Sequence, residues 1–150
     1  MSLHSVIIFL GVSLGVAVIA IIGLIAYVRL SPTSAARWHT DPASAYTWGR
    51  NDWNTVIPVT GGAVLRLPAS PDILARLDAI AMATPRTTRL VGTAAQGQIT
   101  WVTRSAFWGF PDYTTAQIKA DGLYIFARLR FGKSDLGVNA ARLRAWQTNL

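Results

Sequence analysis

The sequence predicts an α+β fold: an antiparallel sheet of about four to five strands with two helices packed on one face, preceded by one transmembrane helix. Three observations carry that expectation. An uncharged apolar run fills Val6 to Val28. Period-two segments recur downstream, the last two meeting at Asp121-Gly122. Two stretches, Pro71 to Ala83 and Leu136 to Thr148, repeat apolar residues at helical spacing. The chain divides into a membrane anchor at 1–30, a linker and docking segment at 31–60 and a globular domain at 61–150.

The 23 residues from Val6 to Val28 contain no charge. As a helix they extend about 34 Å, enough to cross a hydrocarbon core of about 30 Å with modest tilt. A cleaved signal peptide would carry a shorter apolar core, about 7 to 15 residues, behind a basic start. Met1 to Ser5 holds no Lys or Arg, so a retained single-pass anchor is expected, although Thr33-Ser34-Ala35 could pass as a poor cleavage site. Gly11 and Gly15 form a small-xxx-small pair that would let another membrane helix approach closely. Arg29 and Arg37 follow the run, and charge bias alone would put the domain in the cytoplasm.

Twelve Arg, two Lys, seven Asp and no Glu give a net charge of +7. A GC-rich genome accounts for Arg over Lys but not for the excess of positive charge. That excess points to anionic partners, lipid headgroups or an acidic protein before nucleic acid. With no Cys the chain has no disulfide, thiolate nucleophile or zinc–thiolate site.

Between residues 31 and 60, Pro32, Pro42 and Pro58 argue against a long regular element. Trp48 and Trp53 are expected to pack on the domain; Trp38 can pack there or sit at the membrane interface. Ala63 to Leu67 reads as a strand. Ser70-Pro71-Asp72 reads as the start of a helix capped by Ser70, whose Ile73, Leu74, Leu77, Ile80 and Ala81 share one face. Pro85 ends it, and Thr87 to Ala95 and Gln98 to Ser105 follow as strands joined around Gly97.

Asp121-Gly122 predicts a two-residue turn with positive φ at both positions. That turn would oppose Ile118 to Ile125, Ala116 to Ala127, Tyr113 to Arg130 and Asp112 to Phe131, with the apolar residues gathered on one face. Ser134 or Asp135 then caps a helix from about Leu136, burying Leu136, Leu143, Trp146 and Leu150.

Chemistry is harder to find. Gly132-Lys133-Ser134 ends like a phosphate-binding loop, but the first glycine of that pattern falls on Ala127, inside a strand. His4 and His39 are the only histidines and stand apart from any acidic cluster, so no catalytic residue, metal ligand or cofactor site is predicted. What remains is a polar and basic set: Arg104, Asp112, Arg128, Arg130, Ser134, Asp135, Asn139 and Arg142. It reads either as turn caps and loop-closing arginines or as an anion-binding patch in which Arg presents a forked donor.

Several runs together resemble a known family. They are Arg37-Trp38-His39 with Asp41-Pro42, Thr84-Pro85-Arg86-Thr87, and Val102-Thr103-Arg104-Ser105 with Gly109-Phe110-Pro111-Asp112. The most specific is Gly132-Lys133-Ser134-Asp135-Leu136-Gly137-Val138-Asn139 with Arg142. The family is called domain of unknown function 1499, and the resemblance covers nearly everything after the anchor. It brings no established activity. Other branches look like lipoproteins or carry signal peptides, which implies the periplasmic side and opposes the arginine bias. This chain lacks their cysteine-containing segment; Asn51-Asp52-Trp53-Asn54 stands roughly where it would fall.

The expected protein is therefore a membrane-anchored accessory or binding module of the bacterial cell envelope, with the lipid bilayer, an envelope protein or an anionic ligand as partner. Two alternatives stand beside it. One is a small subunit of a larger membrane complex docking through the Gly11 and Gly15 face and the linker tryptophans. The other is an envelope hydrolase or transferase using Asp112 or Asp135 as general base.

Overall fold

A computed structural model describes residues 2–150. Its first element, α1 (Leu3–Leu30), is long and apolar enough to cross a membrane, and its apolar stretch packs on nothing. Contact with the domain begins at its last turn, where Val28 is 2 % exposed. A short helix α2 (Ala35–Trp38) follows, and then a single turn at Pro42–Ala45.

The domain is one antiparallel sheet of six strands: β1 (Ile57–Val59), β2 (Gly62–Leu67), β3 (Thr87–Thr93), β4 (Gln98–Arg104), β5 (Pro111–Lys119) and β6 (Gly122–Leu129). Their spatial order is β1-β2-β6-β5-β4-β3. The count exceeds the expected four to five because β1, within the presumed linker, adds an edge strand. Three residues including Pro58 give too short an alternation to read, and an edge is where a strand tolerates proline. After β2, α3 (Ile73–Ala83) carries the chain to the far edge, β3 to β6 return by hairpins, and α4 (Val138–Thr148) closes the domain.

Both helices cover one face of the sheet. Leu74, Leu77, Leu143 and Trp146 interlock there with Leu65, Ile99, Trp101 and Ile125, all 3 % exposed or less. Burial of such side chains contributes about 1.5–3 kcal/mol each. Trp101 Nε1 donates to Asp78 Oδ1 (2.9 Å) and Trp146 Nε1 to Thr84 Oγ1 (2.8 Å), so neither indole leaves a donor unpaired in the core.

The segment before β1 covers the opposite face. Trp38 stacks on Tyr113 with centroids 3.9 Å apart, and Trp48 meets Tyr124 edge-on at 5.2 Å. The Arg66 guanidinium lies 3.9 Å from the Trp53 ring centroid. All three indoles pack on the domain. The sheet is thus a middle layer between helices and an aromatic strap.

Local geometry corrects three sequence expectations. The β5–β6 turn consists of Ala120 and Asp121, neither with positive φ, so Ile118 faces Leu123, Asp112 faces Leu129 and Tyr113 faces Arg128. A shift of two residues preserves the alternation, so the apolar face stays where it was read. Gly122 serves space and not turn conformation: a Cβ there would stand 2.5 Å from the Leu67 carbonyl oxygen and 2.8 Å from the Trp53 ring. The second correction concerns α3, which begins at Ile73 behind Asp72 (φ 56°), with no side-chain cap from Ser70. Lastly, α4 begins at Val138 behind Gly137 (φ 80°), which leaves Leu136 92 % exposed and outside the core.

Candidate functional site

The eight polar residues separate onto two faces and a loop. Arg128 and Arg130 lie under the strap: Arg128 Nη2 donates to the Trp38 carbonyl (2.8 Å) and Thr40 Oγ1 (3.0 Å), and Arg130 Nη1 to Tyr113 Oη (3.3 Å). Burial lowers the Arg128 pKa, yet its charge is spent on a carbonyl and on the Trp38 and Phe126 rings. Arg128 holds the strap directly, Arg130 bonds the Tyr113 on which the strap's Trp38 stacks, and neither joins Asp112. Ser134, exposed in the loop, accepts from the Leu136 N–H at 3.2 Å.

Asp112, Asp135, Asn139 and Arg142 meet on the helix face, whereas Arg104 stands at the end of β4 and bonds the Gly109 carbonyl. Asp112 opens β5, and Arg142 reaches it from α4, Nη2 donating to Oδ2 at 3.3 Å, with the side chains 16 % and 10 % exposed. Arg142 Nη1 also donates to Asn139 Oδ1 at 2.6 Å. Asn139 is fully buried and its Nδ2 makes no well-formed bond, although the amide favours the ionised form of both Asp112 and Asp135. For Asp112 burial is the larger influence and raises the pKa despite Arg142. For Asp135 burial acts upward too, but bonds from the Asn139 and Gly137 N–H groups outweigh it and the pKa falls. Those two bonds, 2.9 and 3.2 Å, make Asp135 the cap of α4 from two positions before Gly137.

Beside this cluster α3, α4 and the β4 end enclose a cleft of 820 Å³. Ile80, Pro85, Val138, Ala141 and Trp146 make it largely apolar, and Arg86, Arg104, Asp112 and Arg142 charge one part of its wall. Asp112 neutralises Arg142. Arg86 and Arg104 have no carboxylate partner among the described residues; Arg86 Nε donates to the Arg104 carbonyl (3.1 Å) and Arg104 Nη1 to the Gly109 carbonyl (3.0 Å). The cleft therefore presents net positive charge at one end of an apolar trough.

Sequence reading missed Arg86 and the cleft. Arg86 follows the proline that ends α3 and holds φ 59°, a backbone state that a sequence does not display. Its proximity to Arg104 comes from the β3–β4 pairing, which sets Thr87 against Thr103. Among the described residues no group of three or more His, Cys, Asp or Glu could hold a metal ion. His39 Nδ1 bonds Thr100 Oγ1 (2.9 Å) under the strap, on the face away from Asp112.

No curated protein and no solved structure matched the chain. A family model matches residues 53–150, from the Trp53 that packs on Arg66 through β1 to β6 and the whole of α4, and so includes the cleft and the Asp112–Arg142 pair. The chain belongs to the family described as protein of unknown function (DUF1499).

Proposed function

We propose that this protein is a membrane-anchored, non-enzymatic binding module of the bacterial cell envelope, holding an anionic amphiphile in the cleft between α3 and α4. The observation that carries the reading is the pairing of an apolar trough with Arg86 and Arg104, two guanidinium groups without carboxylate partners among the described residues. An acyl or other apolar body would fill the trough, and a phosphate or carboxylate would take the forked donors. The domain stands on the periplasmic side, as the lipoprotein-like and signal-bearing branches of similar proteins favour.

Octyl phosphate and octanol test this on the full-length protein in zwitterionic nanodiscs. Octyl phosphate should bind in a salt-sensitive way, octanol more weakly. Arg104→Gln should reduce octyl phosphate affinity about tenfold, the value of one charge-assisted bond. Ala141→Phe should fill the trough and block both. Equal binding of the charged and neutral probes, or binding indifferent to Ala141→Phe, sinks the reading.

A second reading, a small subunit of a membrane complex, is favoured by α1, whose surface around Gly11 and Gly15 has no neighbour within 4 Å of either glycine. Stoichiometric co-purification of another membrane protein in gentle detergent would select it.

A further inference from the structure

We infer that the ligand of the cleft is a membrane phospholipid, its phosphate held among Arg29, Arg86 and Arg104 while Phe107 and Trp108 lie in the interfacial layer of the bilayer. This deepens the anchored reading above and rests on it. Arg29 sets the depth. It is the first charged residue after the uncharged run, so with α1 across the membrane its guanidinium stands at headgroup level. From there Arg29 Nη2 donates to the Phe107 carbonyl over 3.2 Å, and the Tyr27 ring meets Phe131 edge-on at 6.1 Å. Residues 107 and 131 are thereby held at the membrane surface.

The contacting loop is suited to that depth. Phe107 is 72 % exposed and Trp108 37 %. Phe107 and Trp108 pack edge-on at 4.9 Å, and Phe110 links Trp108 to Phe131 at 6.4 and 6.0 Å. A continuous aromatic surface therefore runs from the loop to the end of α1. Large exposed rings in water expose apolar area to no benefit, whereas at the headgroup boundary they are favoured.

Behind the loop lies a hollow of 400 Å³ lined by Arg29, Arg86, Arg104, Thr88, Ser105 and Gly109, with no carboxylate in its wall. Gly109 (φ 74°) lets Arg29 approach, since a Cβ there would stand 3.1 Å from the Arg29 side chain. Each guanidinium gives a single bond, to the carbonyl of Phe107, Arg104 or Gly109, out of five N–H donors. The rest suit a phosphate diester, which accepts paired bonds from Arg. Because Arg86, Arg104 and Ser105 line both the hollow and the cleft, a lipid seated on the arginines has an apolar trough beside it for an acyl chain.

Full-length protein in nanodiscs tests this, with phosphatidylglycerol in a phosphatidylcholine background as probe and inorganic phosphate as the soluble source. Native mass spectrometry after detergent exchange counts retained lipid. Quenching by brominated phosphatidylcholine, taken as wild type minus Trp108→Phe, reads the depth of Trp108. Phosphatidylglycerol should remain bound, Arg29→Gln should cut its retention about tenfold and Arg29→Lys should restore most of it. Millimolar inorganic phosphate should not displace it, and Trp108 should be quenched. Equal retention in Arg29→Gln, displacement by inorganic phosphate, or an unquenched Trp108 overturns the inference. Octyl phosphate binding that responds to Ala141→Phe but not to Arg29→Gln would leave the cleft reading standing while this one fails.

Discussion

Arg142 on α4 donates to Asp112 at the start of β5 across 3.3 Å, joining residues 30 positions apart in a largely buried part of the cleft wall. The pair fixes the C-terminal helix to the sheet. Removing the cation leaves a buried carboxylate uncompensated, so Arg142→Gln should destabilise the protein by about 3 kcal/mol at neutral pH, whereas Asp112→Asn, which still offers an acceptor, should cost about 1 kcal/mol. Urea unfolding of both variants checks the asymmetry; equal losses would contradict it. A large loss in Arg142→Gln with ligand binding intact would make Arg142 a strut and leave the anion to Arg86 and Arg104.

The same pair predicts a pH effect. Burial raises the Asp112 pKa, so the native state binds its proton more readily than the unfolded chain. Its contribution to stability therefore declines as pH rises from the ordinary carboxylate value of 3.8 to the raised native value, and is level above it. Arg142 helps only the ionised form. Without Arg142 the native Asp112 pKa rises further, so the stability gap between wild type and Arg142→Gln should narrow as pH falls from the variant's native value to the wild type's, measured by urea midpoints across acidic pH.

Asp135 behaves oppositely. Its lowered pKa means that its stabilisation is complete above 3.8 and disappears as pH falls through the native value. Two N–H bonds to α4 are lost in Asp135→Ala, which should lower stability by about 1 kcal/mol. Asp135→Asn should recover about half of this, because its amide keeps one acceptor oxygen and its Nδ2 cannot accept from the second N–H. Asp135→Ser should recover about half, because a hydroxyl oxygen cannot span both the Gly137 and Asn139 N–H groups as two carboxylate oxygens do. Thermal melts at neutral pH rank the three.

Two glycines separate crowding from backbone conformation. Gly97→Ala meets nothing within 4 Å and suffers only from φ 76°, a penalty of about 1 kcal/mol. Gly122→Ala drives a methyl group into the Leu67 carbonyl and the Trp53 ring, and should cost about 2–3 kcal/mol. Adding Trp53→Ala to Gly122→Ala should relieve only part of that loss, since the carbonyl cannot withdraw.

Trp38→Ala tests the strap. The indole stacks on Tyr113, so truncation should lower stability by about 3 kcal/mol, while the Trp38 backbone carbonyl, which accepts from Thr115 Oγ1 and Arg128 Nη2, remains. Amide exchange over residues 31–56 should accelerate more than exchange in α4. Uniform acceleration would mean that the strap unfolds only with the whole domain.

Local rules made much of the architecture legible. A charge-free run long enough to cross a bilayer, the period-two strands and the apolar stripes of α3 and α4 were all readable because each depends on neighbours in the chain. Even with the β5–β6 pairing displaced by two residues, alternation kept Ala116, Leu123, Ile125 and Ala127 on the core face. It also implied that Arg128 belongs opposite Asp112, although charge alone had grouped them. Tertiary structure decided the rest, because partner choice depends on register and on which layer covers which face. Only the folded chain shows that the strap occupies the face opposite the helices. Only it brings Arg29, Arg86 and Arg104 into one hollow, since residues from the anchor, the α3–β3 turn and β4 meet where α1 docks. No periodicity records that meeting, because its cause is the packing of separate elements and not the sequence within any one of them.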